Sequence, residues 1–339
     1  FNKGITLVAL VITIIILLIL ATISIQSLTN TGLFQKANEA KEKMQNAEEN
    51  QAKILNEYED ELNKYISGNV KIPEKIIDVE QGAESHISGV ISYSWSELSA
   101  IAQKISDNVD ISSNTAEVKV TLNGTVKSLG VGDIATVDGK TVRILGFNHD
   151  LLTDINAYGS ATATGTAGIS FEYLDFAMQY SQQMNTIDDN TNGWAAMPLR
   201  TALNETVYDS LSIKDYIKAV NKEYIITNNT VTKLICSDKL WLLSCGEIWD
   251  NGYNGGNTRG YAMATEGSQY KYYKSTLGST AYNTSTNITK KPNASNSYYW
   301  WLRSPNFYDS YTFCVVFSSG YCASSYAYYS FGVAPGFSI

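Results

Sequence analysis

Histidine is nearly missing from this chain: 339 residues contain only two, His86 and His149, beside four cysteines and five prolines. Cys236, Cys245, Cys314 and Cys322 are too few and too scattered for a disulfide framework in a chain this long. Cys236 and Cys245 either pair or remain two buried thiols. Neither histidine lies near a cysteine in sequence, and no ligand spacing recurs, so neither metal nor other cofactor is expected. Basic charge is equally short. A net charge of −8 and the lack of any dense Lys/Arg run argue against nucleic acid as a partner. Groupings suited to catalysis are thin as well. His149 beside Asp150 follows a predicted hairpin strand and reads as a turn residue, and Asp188 with Asp189 reads as a solvated loop or a weak calcium site. No Lys, Arg or His between Cys314 and Cys322 would activate a thiol. The chain is therefore expected not to be an enzyme.

What is present is apolar bulk and tyrosine. An apolar fraction of 44% suffices for a folded core, and 23 tyrosines stand against ten phenylalanines amid abundant Ser, Asn, Thr and Gly. Such a mixture suits adaptable contact surfaces. Residues Ile5 to Ile25 carry no charge and match the roughly 20 residues that cross a bilayer as a helix, with Lys3 pointing the N terminus toward the cytoplasm. Beyond the break at Thr29 to Gly32, the chain is rich in Ala, Glu, Lys and Gln. Ala37, Ala40, Met44, Ala47, Ile54, Tyr58, Leu62 and Ile66 form a narrow stripe at helical spacing. That stripe covers either the downstream domain or neighbouring subunits. Gly68 and Pro73 end it.

A connector over residues 68–115 contains one amphipathic helix: Ser94 and Glu97 make a capping box ahead of Leu98, Ile101, Ala102 and Ile105. Val118, Val120 and Leu122 alternate with polar residues as in a half-buried strand, and Asp138–Gly139 predicts a tight hairpin. Short helices are expected over Phe171 to Gln183, Pro198 to Leu203 and Ile213 to Val220. Leu240 to Trp249 reads as a buried strand running into a helical turn. The expected class is α+β, with the last domain over residues 116–339.

Two resemblances add to this. Residues 1–67, with KGITLVALVITIIILLILA, resemble type IV pilins, in which a long N-terminal helix anchors the subunit in the membrane and then packs in a filament. The resemblance implies a homopolymer, a prepilin cleavage between Gly4 and Ile5, and a cell-surface or extracellular location after anchoring in the cytoplasmic membrane. Either Phe1 is the mature terminus or processing at Gly4 has not occurred. The glutamate at the fifth mature position of that family is missing, since Ala9 or Ile5 stands there. The alternatives are a tethered, non-polymerising receptor or adhesin and a minor pseudopilin of a secretion or DNA-uptake machine.

The second resemblance spans Gly124 to Ile339 and rests on VGDIATVDGKTVRILGF, DKLWLLSCGEIW and YYWWLRSPN…GVAPGFSI. These segments are similar to a C-terminal domain of Gram-positive surface proteins and, through it, to the C-type lectin fold used by the variable proteins of diversity-generating retroelements. That likeness implies a lectin-like α+β head whose loops bind a protein, glycan or phage ligand. Retroelements scatter AAY codons, which cannot yield Lys, Glu, Gln, Met or Trp, and Asn306 to Phe331 contains none of the five. The contact residues implied are Phe307, Tyr308, Asp309, Tyr311, Thr312, Phe317, Tyr321, Ser324, Tyr326, Tyr328, Tyr329 and Phe331. Trp300 to Pro305, Gly332, Val333 and Pro335 would be the fixed frame, and Cys314 and Cys322 products of codon scatter.

Overall fold

A computed structural model describes residues 11–22, 41–44, 51, 76–153, 165–178, 181–226, 232–249, 266–278, 288–290, 298–306, 309–320 and 322–339. The chain divides into two units, Phe1–Glu74 and Lys75–Ile339. In the first, residues 11–22 are helical, with Val11, Leu17 and Leu20 exposed.

The expected membrane-spanning pilin helix is corrected here. Among the described residues, no helix is long and apolar enough to cross a membrane. The described helical residues 11–22 rise about 1.5 Å each and together cover less than the roughly 30 Å hydrocarbon core. The local chemistry is consistent with a weak helix former: Ile, Val and Thr lose side-chain freedom in a helix, and the Thr22 hydroxyl turns back onto the Leu18 carbonyl at 2.6 Å. The second unit is built mostly of small antiparallel sheets joined by short helices. Gly4 and Ile5 lie outside the described residues.

The second unit opens with β1 (Ile77–Gln81), β2 (Glu117–Leu122) and β3 (Thr125–Gly130), an antiparallel sheet in that order. Between β1 and β2 the helix Trp95–Asp107 starts at the Ser94/Glu97 capping box and buries Leu98, Ile101, Ala102 and Ile105. Val118 and Val120 point inward while Lys119 is exposed, as a period of two requires. Strands β4 (Ile134–Val137) and β5 (Lys140–Phe147) meet at Asp138 and Gly139, both with positive φ, 48° and 78°, the geometry of a two-residue hairpin.

Strand β5 pairs with β6 (Ile169–Tyr173), extending the largest sheet, ordered β10-β15-β6-β5-β4. Here β10 is Leu240–Trp241 and β15 is Gly336–Ser338. All five β6 residues are buried, so the start of the run expected to be a helix from Phe171 to Gln183 belongs to a strand covered on both faces, which lacks the alternation that would announce it, and the end of the run, Gln182–Gln183, is a short strand as well. The C terminus is thereby central. Phe337 stacks on Phe171 at 5.2 Å, and Trp95 meets Phe171 edge-on at 5.4 Å. The strands β8 (Val220–Ile226) and β9 (Thr232–Asp238) form a separate hairpin. Remaining strands are β7 (Gln182–Gln183), β11 (Trp300–Pro305), β12 (Thr312–Val316), β13 (Cys322–Tyr326) and β14 (Ser330–Phe331).

Candidate functional site

Strands β11, β12 and β13 form an antiparallel sheet that runs from core to surface. Every residue of β11 and β12 is buried, whereas β13 passes from buried Cys322 and Ala323 through half-buried Ser324 and Ser325 to exposed Tyr326. Thr312 faces Tyr326 across the pair, which puts Tyr311 beside Tyr326 at the open end. The two rings stack at 5.4 Å. A turn after β13 adds Tyr329, 5.5 Å from Tyr326 in edge contact, and Tyr328, 4.6 Å from Tyr329. Phe331 lies 6.5 Å from Tyr329 and 4.8 Å from the buried Trp301. A continuous file of rings therefore leads from solvent into the core.

The backbone beneath these rings is tied down. Ala327 donates its N–H to the Tyr311 carbonyl, and its own carbonyl accepts from Met184 and Asn185, each at 3.0 Å. The Gln183 amide reaches the Tyr328 carbonyl at 2.5 Å. Strand β14 pairs with β7. Asn190, fully buried, donates from its side chain to the carbonyls of Asn306, Asp309 and Thr312 at 3.3, 3.0 and 2.7 Å, and so staples the loop before β12. Asp309 acts within that loop: one carboxylate oxygen accepts from the Tyr311 and Thr312 N–H groups, the other from the Thr312 hydroxyl and the Asn306 amide.

The structure thus brings Tyr311, Tyr326, Tyr328 and Tyr329 together at 41–43% exposure, with Phe331 and Ser324 at their side. Phe317 stacks on Tyr299 at 4.3 Å, linked to the others through the 5.6 Å contact of Tyr299 with Phe331. Thr312 is buried and Asp309 turns inward, while Phe307, Tyr308 and Tyr321 lie outside the described residues. Sequence reasoning missed the contribution of residues 182–190. The polar run around Asn190 reads as a solvated loop, and only the fold shows that its amide is sealed under the sheet.

Arg303 of β11 belongs to a buried ionic cluster. Arg303 grips Glu247 with two nitrogens at 2.5 and 2.9 Å, and Lys222 joins Glu247 at 2.6 Å to Asp150 at 2.9 Å. Burial alone would raise the Glu247 carboxyl, but Arg303 and Lys222 outweigh it and hold the group below its ordinary range. Glu266, bonded to the Ser304 hydroxyl, is pushed by burial up to about 8 against the pull of Arg303. Lys222 also sits 3.6 Å over the Trp241 ring. All of these groups are buried, and the network holds β8, β11 and the turn Cys245–Ile248 together. His149 belongs to the same structural work: it stacks on Tyr270 at 3.8 Å and meets the Ser268 carbonyl at 3.1 Å. Asp189 caps the Thr191 N–H and hydroxyl, and Asp188 accepts from the Tyr328 N–H at 3.4 Å.

Residues 164–339, more than half of the chain, match the family described as a domain of unknown function, DUF6273, and the chain belongs to that family. Neither a curated protein nor a solved structure matches it.

Proposed function

We propose that residues 75–339 make a ligand-binding head that engages an extracellular partner through Tyr311, Tyr326, Tyr328 and Tyr329 and performs no chemistry on it. One observation carries this reading: four exposed tyrosines touch in sequence around a turn whose backbone is hydrogen-bonded to buried scaffold. Tyrosine gives large contact area at small entropic cost and recurs in binding hot spots. Because the frame is already ordered, little freedom is lost when a partner docks. The reading covers the head alone, since assembly through residues 1–67 rested on a long apolar helix that the described residues do not contain.

The face is also the part of the chain where sequence diversification would act. The exposed positions within Asn306 to Phe331, among them Tyr311, Tyr326, Tyr328 and Tyr329, lie outside the wholly buried run Thr312–Val316, so variation can be tolerated at one set and not at the other. Sequencing the same locus in sister isolates tests this. Substitutions are expected to crowd at Tyr311, Ser324, Tyr326, Tyr328 and Tyr329 while Trp301, Phe313 and Val315 stay fixed; an even spread over the domain would sink the diversification argument. Binding is tested separately by selecting phage-displayed peptides and surface glycans on the full chain. Selected ligands should weaken at least about tenfold on the Tyr326→Ser, Tyr329→Ser double variant. Ligands that hold both proteins equally well would remove the tyrosine face from the account.

A further inference from the structure

Three of the four cysteines, dispersed in sequence, meet at one point of the frame. Cys245 opens the turn Cys245–Ile248, Cys314 is the middle residue of β12, and Cys322 is the first of β13. The β12/β13 register pairs Cys314 with Ser324 and Val316 with Cys322, which places Cys314 and Cys322 diagonally on one face of the hairpin. Cys245 is held over that face because its N–H donates to the Ser304 hydroxyl at 2.9 Å and because Arg303 donates its N–H to the Leu243 carbonyl at 2.9 Å. The three sulfurs lie within 4.8 Å of one another, those of Cys245 and Cys322 at 4.0 Å. All three residues are fully buried, and none is in a disulfide.

The Cys245–Cys322 separation of 4.0 Å is that of two thiolates on one metal ion, and the third sulfur is near enough to join them. Sulfurs bound to zinc at about 2.3 Å stand about 4.0 Å apart in a trigonal plane and slightly closer in a tetrahedron. We propose that Cys245, Cys314 and Cys322 form a buried binding site for a zinc ion. On binding, three S–H bonds give up their protons and three Zn–S bonds form, so one dication replaces three protons and leaves a single net negative charge. Copper(I) in the same triangle would leave two negative charges in a dry core, which burial penalises more heavily. The ion would fasten the turn Cys245–Ile248 to the β12/β13 hairpin whose far end carries Tyr326. Sequence gives no warning of it: Cys245 and Cys322 are 77 residues apart, and the three cysteines fit no short ligand motif.

The test uses the full chain purified without oxygen under reducing conditions, with zinc titrated against a chromophoric chelator and cobalt(II) as a spectroscopic stand-in. One zinc per chain and intense thiolate-to-cobalt bands in the near ultraviolet are expected. Cys314→Ser and Cys245→Ser should each lower zinc affinity by at least about 100-fold, while Cys236→Ser, which alters the cysteine outside the cluster, leaves it unchanged. Should a serine variant fail to fold, Cys314→Ala, checked by circular dichroism without metal, takes its place. The proposal is overturned if the wild-type chain takes up no stoichiometric zinc, or binds copper(I) alone. It is equally overturned if binding survives loss of Cys314, or if the anaerobically purified protein weighs two hydrogens less because Cys245 and Cys322 are already joined.

Discussion

Glu266 shows how much a single side chain can owe to its surroundings. Its carboxyl accepts from the Ile225 N–H at 3.1 Å and from the Ser304 hydroxyl, yet burial dominates and pushes it up to about 8 from an ordinary 4.5. The folded state therefore holds the proton more tightly than the unfolded chain. Its contribution to stability is complete below about pH 4.5 and is lost progressively as pH rises through about 8. Urea denaturation of the wild type across pH 5 to 8 is expected to show this decline, and Glu266→Gln, which keeps the shape and cannot ionise, should flatten it. A variant whose slope equals that of the wild type would refute the assignment. His86 adds a decline of the same sign. Burial opposes its charge, but Glu117 and Asp133, each 2.8 Å from a ring nitrogen, outweigh burial and raise it, so its share is lost above its ordinary 6.5. The difference between wild type and variant isolates Glu266. Nothing in the sequence marks Glu266, Lys222 or Asn190 as buried, because polar letters read as surface until the fold encloses them.

Elements were legible where their period was visible. The helix Trp95–Asp107 has its cap and four inward residues at the spacing read from sequence, and the Asp138–Gly139 hairpin turns where two residues can take positive φ. Strand β6 was misread because both its faces are buried and its pattern carries no alternation. The packing of helix on sheet also escapes sequence. A Cβ at Gly168 would stand 1.9 Å from the Ala102 carbonyl oxygen, so the helix rests on bare backbone there. Gly168→Ala is expected to destabilise the domain by about 2–3 kcal/mol in chemical denaturation, since backbone cannot move aside as a flexible side chain would. The loop before β12 depends in turn on one amide. Asn190→Ala leaves three carbonyls without their side-chain donor and should cost about 1–3 kcal/mol, with faster amide exchange over residues 309–312 as its signature.

At the scale of the whole chain, the sequence separates an apolar front from a tyrosine-rich end, but it does not reveal that the tyrosines divide into two populations. Tyr173, Tyr270 and Tyr273 are buried, the latter two bonded to Asp150 and Glu172, while Tyr311, Tyr326, Tyr328 and Tyr329 gather on the surface. If the domain is a frame that carries a face, the two should respond differently to substitution. Tyr326→Ser with Tyr329→Ser removes exposed rings whose backbone contacts do not depend on the side chain, so stability should change by no more than about 0.5 kcal/mol per site. Trp301→Ala removes a fully buried indole whose N–H reaches the Gln182 carbonyl at 2.8 Å and whose ring supports Phe331, at a cost of about 3–5 kcal/mol. Thermal melts of the two variants, read beside their binding to one selected peptide, separate the roles. The double tyrosine variant is expected to melt with the wild type and lose the peptide, and Trp301→Ala to melt early. A double variant that unfolds as readily as Trp301→Ala would mean that the exposed rings hold the sheet together, and the division of the head into frame and face would fail.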